Sequence, residues 1–186
     1  MKHFDDLSET KLSEKLLYDG AVLHVGVDDV RLPNGKDAKR EYIRHVGAVC
    51  ILPLRSDGCV LIERQFRYPV NSVICEIPAG KLDSKSEDRL SAAKRELAEE
   101  TGIIASKWTN MGDFYPAAAY TDEKLTIYLA EDLKTERQNL DDDEFLNLEW
   151  VPFKTLFDDV MAGRIPDAKT QLSVLKLAVL RPDLCK

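Results

Sequence analysis

The sequence has few cysteines, no long apolar run and no excess of basic residues. Its four cysteines are irregularly spaced and form no CxxC pair, which argues against a zinc site or a disulfide framework. No apolar run approaches the roughly 20 residues of a membrane span, and the polar N-terminus lacks the apolar core of a signal peptide. Lys and Arg total 26 against 33 Asp and Glu, whereas a general nucleic-acid binder carries the opposite balance. We therefore expect a cytoplasmic protein with reduced thiols that binds neither a membrane nor nucleic acid.

The length of 186 residues fits one domain of ordinary size with a small appended element. Apolar residues make up 44% of the chain and charged residues 32%, which is the composition of a folded domain with a real core. The sequence shows no internal repeat, low-complexity tract or obvious linker.

Several segments have the pattern of β-strands. Residues 15–44 are rich in β-formers and contain the turn sequence Leu-Pro-Asn-Gly-Lys at 32–36, which predicts strands on either side of that turn. A continuous apolar run at 47–54 predicts a buried strand, and Asp57-Gly58 is a turn signal after it. Shorter runs predict four more strands, at residues 59–64, 73–77, 125–130 and 146–151.

Three segments are predicted to be helices. The strongest runs from about residue 86 to 101, with Ser84 or Ser86 as its cap and Gly102 as its stop. Two more are expected at 152–163 and 168–180. Together these elements predict an α/β (α+β) fold, a mixed β-sheet sandwiched between helices, with an N-terminal antiparallel β-hairpin or sheet.

The first helix carries three closely spaced carboxylates. Glu96, Glu99 and Glu100 fall within about 100° of one helix face, next to an apolar stripe that would pack on a sheet. We expect this face, Glu100 included, to be exposed, with Arg95 offsetting part of the repulsion through its i,i+4 relation to Glu99. The spacing alone favours a solvated acidic surface. The alternative is a site for a hard cation such as Mg²⁺ or Mn²⁺, which carboxylate oxygens suit.

The context of these residues resembles the signature of the Nudix hydrolases. That signature is a Gly, a Glu and then Arg-Glu-apolar-x-Glu-Glu-x-Gly-apolar, matched here by Gly80, Glu87 and residues 95–103. Six residues rather than five separate Gly80 from Glu87, and the extra residue falls in a loop before the helix. Segments 64–67, 76–82, 141–145 and 167–170 are similar to the ADP-ribose pyrophosphatase branch, so the resemblance covers nearly the whole chain.

The resemblance implies an enzyme that uses Mg²⁺, with Mn²⁺ as a substitute, to hydrolyse the diphosphate bond of a nucleoside diphosphate sugar. The expected substrate is ADP-ribose and the products are AMP and ribose 5-phosphate. The implied metal ligands are the carbonyl of Ala79 with Glu96, Glu99 and Glu100. Arg95 would hold these carboxylates in position, and Glu144 would be the catalytic base, with Asp143 as a near alternative. The implied substrate-binding residues are Arg64, Arg67, Glu76 and Glu123.

The sequence leaves alternatives open for the substrate, for the role of Arg64 and for catalysis itself. Alanines occupy residues 117–119, where the branch usually has Ser-Pro-Gly, so the substrate could be a different nucleoside diphosphate sugar or a dinucleotide. Arg64 is equally well read as a surface arginine. A nucleotide-binding module without catalysis is a third reading, although the intact Glu96, Glu99 and Glu100 argue against it.

The resemblance also implies an assembly. Residues 1–44 would form an N-terminal β element and residues 45–186 the hydrolase domain. Because a hairpin alone is marginal in water, this element needs a surface to pack on. In the resembled branch it crosses to a second subunit and helps form that subunit's substrate site, which predicts a homodimer.

Overall fold

In the computed structural model, which describes residues 6–135 and 145–186, the chain begins with a three-stranded antiparallel sheet. Its strands, in spatial order, are β1 (Thr10–Asp19), β2 (His24–Arg31) and β3 (Asp37–Arg44). The turn between β2 and β3 has Gly35 at φ +81°, a conformation that favours glycine, and the Gly35 N–H donates to the Leu32 carbonyl at 2.9 Å. This confirms the predicted N-terminal antiparallel β element.

Two sheets form the body of the fold. Their strands are β4 (Ala48–Pro53), β5 (Cys59–Arg67), β6 (Ser72–Glu76), β7 (Ala79–Lys81), β8 (Ile103–Phe114), β9 (Leu125–Thr135) and β10 (Leu146–Pro152). A four-stranded sheet has the order β7-β4-β9-β8, and a three-stranded antiparallel sheet has the order β10-β5-β6. The first is mixed, because β4 runs parallel to β9 while the other pairs are antiparallel.

Helices cover both faces of the central strand. Val49 and Ile51 of β4 pack in one apolar cluster with α1 (Arg89–Thr101), through Ala92, Ala93 and Leu97. The alternating residues, Cys50 and Leu52 among them, pack in a second cluster with α2 (Phe153–Met161) and α3 (Ala168–Leu180). A strand buried on both faces needs apolar residues throughout, which is why this run lacks alternation. The predicted sandwich is therefore confirmed.

The start of α1 differs from the prediction. The helix begins at Arg89 rather than near residue 86, and its N-cap is Asp88 rather than Ser84 or Ser86. The Asp88 carboxylate accepts hydrogen bonds from the Ser91 N–H at 2.8 Å and from the Ser91 hydroxyl at 2.9 Å. A charged acceptor is a strong cap at the positive end of a helix dipole. The predicted stop is confirmed, since Gly102 has φ +64° and its N–H donates to the Ala98 carbonyl.

Two strands were missed by the sequence analysis. β8 is an edge strand whose residues are mostly partly exposed, so its sequence shows neither an apolar run nor a clear alternation. β7 is only three residues long and follows Pro78, where the apolar run of β6 ends. It pairs with β4, with Gly80 opposite Val49, and so carries the loop after β6 back onto the central sheet.

The N-terminal sheet contacts the body of the fold at the end of β3. The Ile43 N–H donates to the Tyr120 carbonyl at 2.8 Å, and the Asp122 N–H donates to the Ile43 carbonyl at 3.3 Å. β1 is exposed along its whole length. Within the described ranges, no helix is long and apolar enough to cross a membrane.

Candidate active site

Gly80 and Glu96 bring β7 and α1 into direct contact. A Cβ added to Gly80 would lie 1.9 Å from the Glu96 carboxyl carbon, so no larger residue fits there while Glu96 keeps its position. Because Gly80 is the neighbour of Ala79 in β7, the Ala79 carbonyl belongs to the same backbone that the Glu96 carboxylate packs against. The Glu96 side chain is only 13% exposed. The structure thus places the predicted ligand Glu96 against Gly80, the residue that follows the predicted ligand Ala79.

Arg95 joins carboxylates from the loop and the helix. Its guanidinium donates to Glu96 at 2.8 Å, to Glu99 at 3.2 Å and to Glu87 at 3.2 Å. Burial alone would lower the pKa of Arg95, but the neighbouring Glu96 and Glu87 outweigh it and raise that pKa. Arg95 therefore stays protonated and ties these carboxylates together. Glu87 belongs to this group despite the extra residue before it in the loop.

The acidic face is not uniformly exposed. The Glu99 side chain is 44% exposed, but Glu100 is only 5% exposed, so the expectation of an exposed Glu100 was wrong. The reason lies in helix geometry, because Glu100 is three residues from Leu97 and about 60° from it around the axis. Leu97 is fully buried in the core beneath α1. Glu100 thus lies at the edge of the buried stripe.

A second group of charged residues lines a cleft of 710 Å³. Arg67 binds Glu76 in a two-pronged geometry, with Nε to Oε1 at 2.7 Å and Nη2 to Oε2 at 2.9 Å. Lys169 also donates to Glu76 and lies 3.2 Å from Asp167. Glu123 lines the same cleft, with its carboxylate 3.9 Å from His45 Nδ1.

The ionised state of Arg67 and of Glu76 follows from their charged neighbours. Hydrogen bonding to Glu76 raises the pKa of Arg67, and the nearby Glu63 and Glu100 raise it further. Burial alone would raise the pKa of Glu76, but the hydrogen bonds and charges of Arg67 and Lys169 outweigh burial and lower it. Glu76 is therefore ionised although its side chain is only 2% exposed. Glu76, which lines this cleft, and Gly80, which contacts Glu96, are four residues apart in the chain, so one short segment connects the cleft to the α1 carboxylates.

Not every predicted residue is brought to this site. Arg64 is three residues from Arg67 and so lies on the opposite face of β5. Its guanidinium is 3.4 Å from Glu149 and half exposed, which fits the alternative reading of a surface arginine. Glu144 and Asp143 lie outside the described residues.

Lys169 was not identified as a site residue from sequence. The signal that could have identified it is the segment Asp167–Thr170, whose similarity to the ADP-ribose pyrophosphatase branch was not tied to a role for any of its residues. A single lysine in a predicted helix carries no periodic signal, and only the fold brings it across 93 residues of sequence to Glu76.

The donor chemistry of the site suits a hard divalent cation. The Ala79 carbonyl and the mostly buried carboxylates of α1 are oxygen ligands, which Mg²⁺ and Mn²⁺ prefer. Glu96 can approach β7 because Gly80 has no Cβ to occupy the space between them. Within residues 6–135 and 145–186, however, no three His, Cys, Asp or Glu side chains converge as a ready cage for a metal ion. In this structure the carboxylates of Glu96 and Glu99 are paired with Arg95.

Sequence comparison now identifies the class of protein. The profile of the Nudix domain matches residues 43–172, and that of the nucleoside diphosphate sugar hydrolase N-terminal domain matches residues 9–43. The chain therefore belongs to the Nudix hydrolase family and is a pyrophosphohydrolase of that family.

The similar proteins indicate which members of the family this chain is related to. The chain is 39% identical over 170 residues to an ADP-ribose pyrophosphatase of Bacillus subtilis, covering 90% of this chain and 91% of the relative. It is 30% identical over 183 residues to a GDP-mannose pyrophosphatase of Pectobacterium atrosepticum, covering 91% and 93%. A crystal structure described as an ADP compounds hydrolase shares the fold, with a TM-score of 0.85, 23% identity and 98% of each chain covered. The protein is thus a Nudix hydrolase closely related to ADP-ribose and GDP-mannose pyrophosphatases.

Proposed function

We propose that this enzyme hydrolyses the diphosphate bond of a nucleoside diphosphate sugar, with ADP-ribose as the preferred substrate and AMP and ribose 5-phosphate as products. The observation that carries the proposal is that one short segment joins two groups, because Glu76 binds Arg67 in the cleft and Gly80, four residues further on, lies against the Glu96 carboxylate of α1. A diphosphate needs cationic partners, while its sugar and base need a cleft of several hundred Å³. The name of the Bacillus subtilis relative supports ADP-ribose as the first candidate.

The α1 side of this site is where we place the metal ion. The Ala79 carbonyl, Glu96 and Glu100 would hold Mg²⁺, or Mn²⁺ in its place, with Glu99 assisting. When bound, such an ion neutralises phosphate charge and lowers the pKa of bound water. Arg95 fixes the orientation of Glu96 and Glu99 through its hydrogen bonds to both. Such outer contacts commonly tune metal affinity.

The cleft side would bind the substrate. The Arg67 side chain is 41% exposed, so its guanidinium has donors free to turn towards a phosphate while Glu76 anchors it. Glu123 offers an acceptor for a sugar hydroxyl at the wall of the cleft, whereas the buried Glu76 would contribute to substrate binding by holding Arg67 and Lys169 in place. We retain Glu144 as the general base on the resemblance of residues 141–145, with Asp143 as its alternative.

A second candidate substrate is GDP-mannose. The 30% identity to a GDP-mannose pyrophosphatase over nearly the whole chain favours it, and the alanines at residues 117–119 depart from the pattern of the ADP-ribose branch. The test is a panel of ADP-ribose, GDP-mannose and a dinucleotide with Mg²⁺, reading out released mononucleotide. We expect kcat/KM to be highest for ADP-ribose. A higher value for GDP-mannose would move the assignment to the second candidate, and no release from any of them would refute the function.

The three-stranded N-terminal sheet supports a homodimer in which the N-terminal element, residues 1–44, completes the partner's site. β1 exposes Leu12, Leu16, Leu17 and Tyr18, each about half exposed, which is typical of an apolar surface that another chain covers. Residues 45–186 would then be the hydrolase domain of each subunit. Light scattering at micromolar concentration is expected to give twice the chain mass of 21.0 kDa, and a mass near 21.0 kDa would refute the dimer.

A cytoplasmic location is also part of the proposal. All four cysteines are free in the structure, and reduced thiols are typical of proteins in the cytoplasm. Cell fractionation followed by detection of the native protein tests this.

A further inference from the structure

The sequence Asp-Ala-Lys-Thr at 167–170 forms a hydrogen-bonded cap at the start of α3. The Asp167 carboxylate accepts from the Thr170 N–H at 2.9 Å and from the Thr170 hydroxyl at 2.6 Å. A hydroxyl has one hydrogen to donate and two lone pairs to accept with. Because Asp167 takes that hydrogen, the lone pairs of Thr170 are left for a donor elsewhere.

That donor is the backbone of the segment that links β6 to β7. The Ile77 N–H donates to Thr170 Oγ1 at 2.9 Å, and both residues are completely buried. Buried backbone N–H groups require a partner, and in this irregular stretch the next residue, Pro78, has no N–H of its own. On the other side, the Pro78 carbonyl accepts from the Ile51 N–H of β4 at 2.8 Å. We call residues 76–80 the linking segment.

Lys169 provides a second anchor on the same segment. Its side chain is 12% exposed and donates to Glu76, the residue just before Ile77. Two consecutive residues of α3 thus hold two consecutive residues of the linking segment, across 93 positions of sequence. The segment then continues directly to Ala79 and Gly80, where the backbone meets Glu96.

We propose that Thr170 is a positioning residue of the active site, which acts through Ile77 to hold the Ala79 carbonyl and Gly80 at the Glu96 carboxylate. This rests on the proposed metal site. The tolerance of that site is small, because Gly80 and Glu96 leave no room for even one additional carbon atom between them. A shift of the linking segment would therefore change the distance between the carbonyl and the carboxylates that share the cation.

The test measures metal affinity apart from turnover. Thr170→Val keeps nearly the same volume but removes both the acceptor for Ile77 and the donor to Asp167. With Mn²⁺ alone as the probe, followed through the EPR signal of the free ion, we expect the dissociation constant to rise by about 10- to 100-fold. Thr170→Ser, which restores the hydroxyl, should return it to near the wild-type value. The KM for the nucleotide should change less than kcat, because the cleft contacts of Arg67 remain.

A matched control is available on the same helix. Ser173 is also fully buried, and its hydroxyl lies beside the Cys50 thiol of β4 and not on the linking segment. Ser173→Ala should leave Mn²⁺ affinity unchanged. If Thr170→Val fails to fold, Thr170→Cys takes its place, since sulfur is a weak acceptor of similar size.

Two outcomes overturn the proposal in distinguishable ways. If Thr170→Val lowers Tm but binds Mn²⁺ as the wild type does, Thr170 is only a structural cap. If the wild type neither binds Mn²⁺ nor hydrolyses a nucleoside diphosphate sugar, the proposed function fails and the role of Thr170 falls with it.

Discussion

Replacing Gly80 by alanine tests the contact on which the α1 side of the site depends. The new Cβ would lie 1.9 Å from the Glu96 carboxyl carbon, whereas carbon atoms in contact are separated by about 3.5–4 Å. Gly80 does not have a positive φ, so the effect is steric and not one of backbone strain. The Glu96 carboxylate must therefore move by roughly 1.5 Å or more.

The loss of stability should be small. The carboxylate is the free end of a flexible side chain, so leaving its rotamer costs about 0.5–1.5 kcal/mol. Weakening its partly exposed pair with Arg95 costs up to about 1 kcal/mol. For a chain of this size, about 1–2 kcal/mol lowers Tm by roughly 2–8 °C. The loss of activity should be large, about 10²-fold in kcat/KM, because misplacing a reacting group by an ångström has an effect of that order.

The assay is kcat/KM for ADP-ribose with Mg²⁺, read alongside Tm. Gly163→Ala is the matched control, because Gly163 follows α2, has φ +71° and has no atom within 4 Å of an added Cβ. Its backbone strain should cost about 1 kcal/mol and leave kcat/KM unchanged. Wild-type kcat/KM in folded Gly80→Ala would refute the reasoning, since Glu96 would then not need its observed position.

Three further predictions concern single carboxyl groups. Glu100→Gln should fold normally by near-UV circular dichroism but lose about 10²-fold or more in kcat, because a metal ligand contributes several kcal/mol; near-normal turnover would exclude Glu100 as a ligand. Glu144→Gln should lower kcat by about 10²–10⁴-fold and leave Mn²⁺ affinity unchanged. If only Asp143→Asn shows this loss, the general base is Asp143 and not Glu144. The folded-state pKa of Glu76 lies below its ordinary value of 4.5, so its contribution to stability is present above pH 4.5 and is lost as pH falls through the lowered pKa. The Tm advantage of wild type over Glu76→Gln should therefore narrow below pH 4.5, and an advantage that stays constant down to pH 2 would contradict the lowered pKa.

Much of the architecture could be predicted from local sequence. The apolar run of β4 and the stop of α1 at Gly102 each have a single physical cause that acts within a few residues. β8 could not be found this way, because a half-exposed edge strand has no fixed hydrophobic period. The N-cap of α1 was predicted at the wrong residue because Ser84, Ser86 and Asp88 can all accept hydrogen bonds from the first N–H groups of the helix. Only in the folded chain is Asp88 the residue that does so.

The sequence indicates which carboxylates of α1 share one helix face, but not how deeply each of them is buried. One helix face carries Glu96, Glu99 and Glu100, yet Glu99 is nearly half exposed and Glu100 is buried. The burial of each carboxylate depends on which other elements pack against the helix, and the spacing of residues within the helix does not reveal that. The same holds for Arg67 and Lys169, whose shared partner Glu76 comes from another strand. Long-range pairs of this kind arise from topology and not from periodicity.

The most direct test of the central claim is product analysis with ADP-ribose and Mg²⁺, run in parallel on the wild type and on Glu96→Gln. The account predicts AMP and ribose 5-phosphate in equal amounts from the wild type and a rate at least about 10²-fold lower from Glu96→Gln. Cleavage to other products, or equal rates from both proteins, would contradict it.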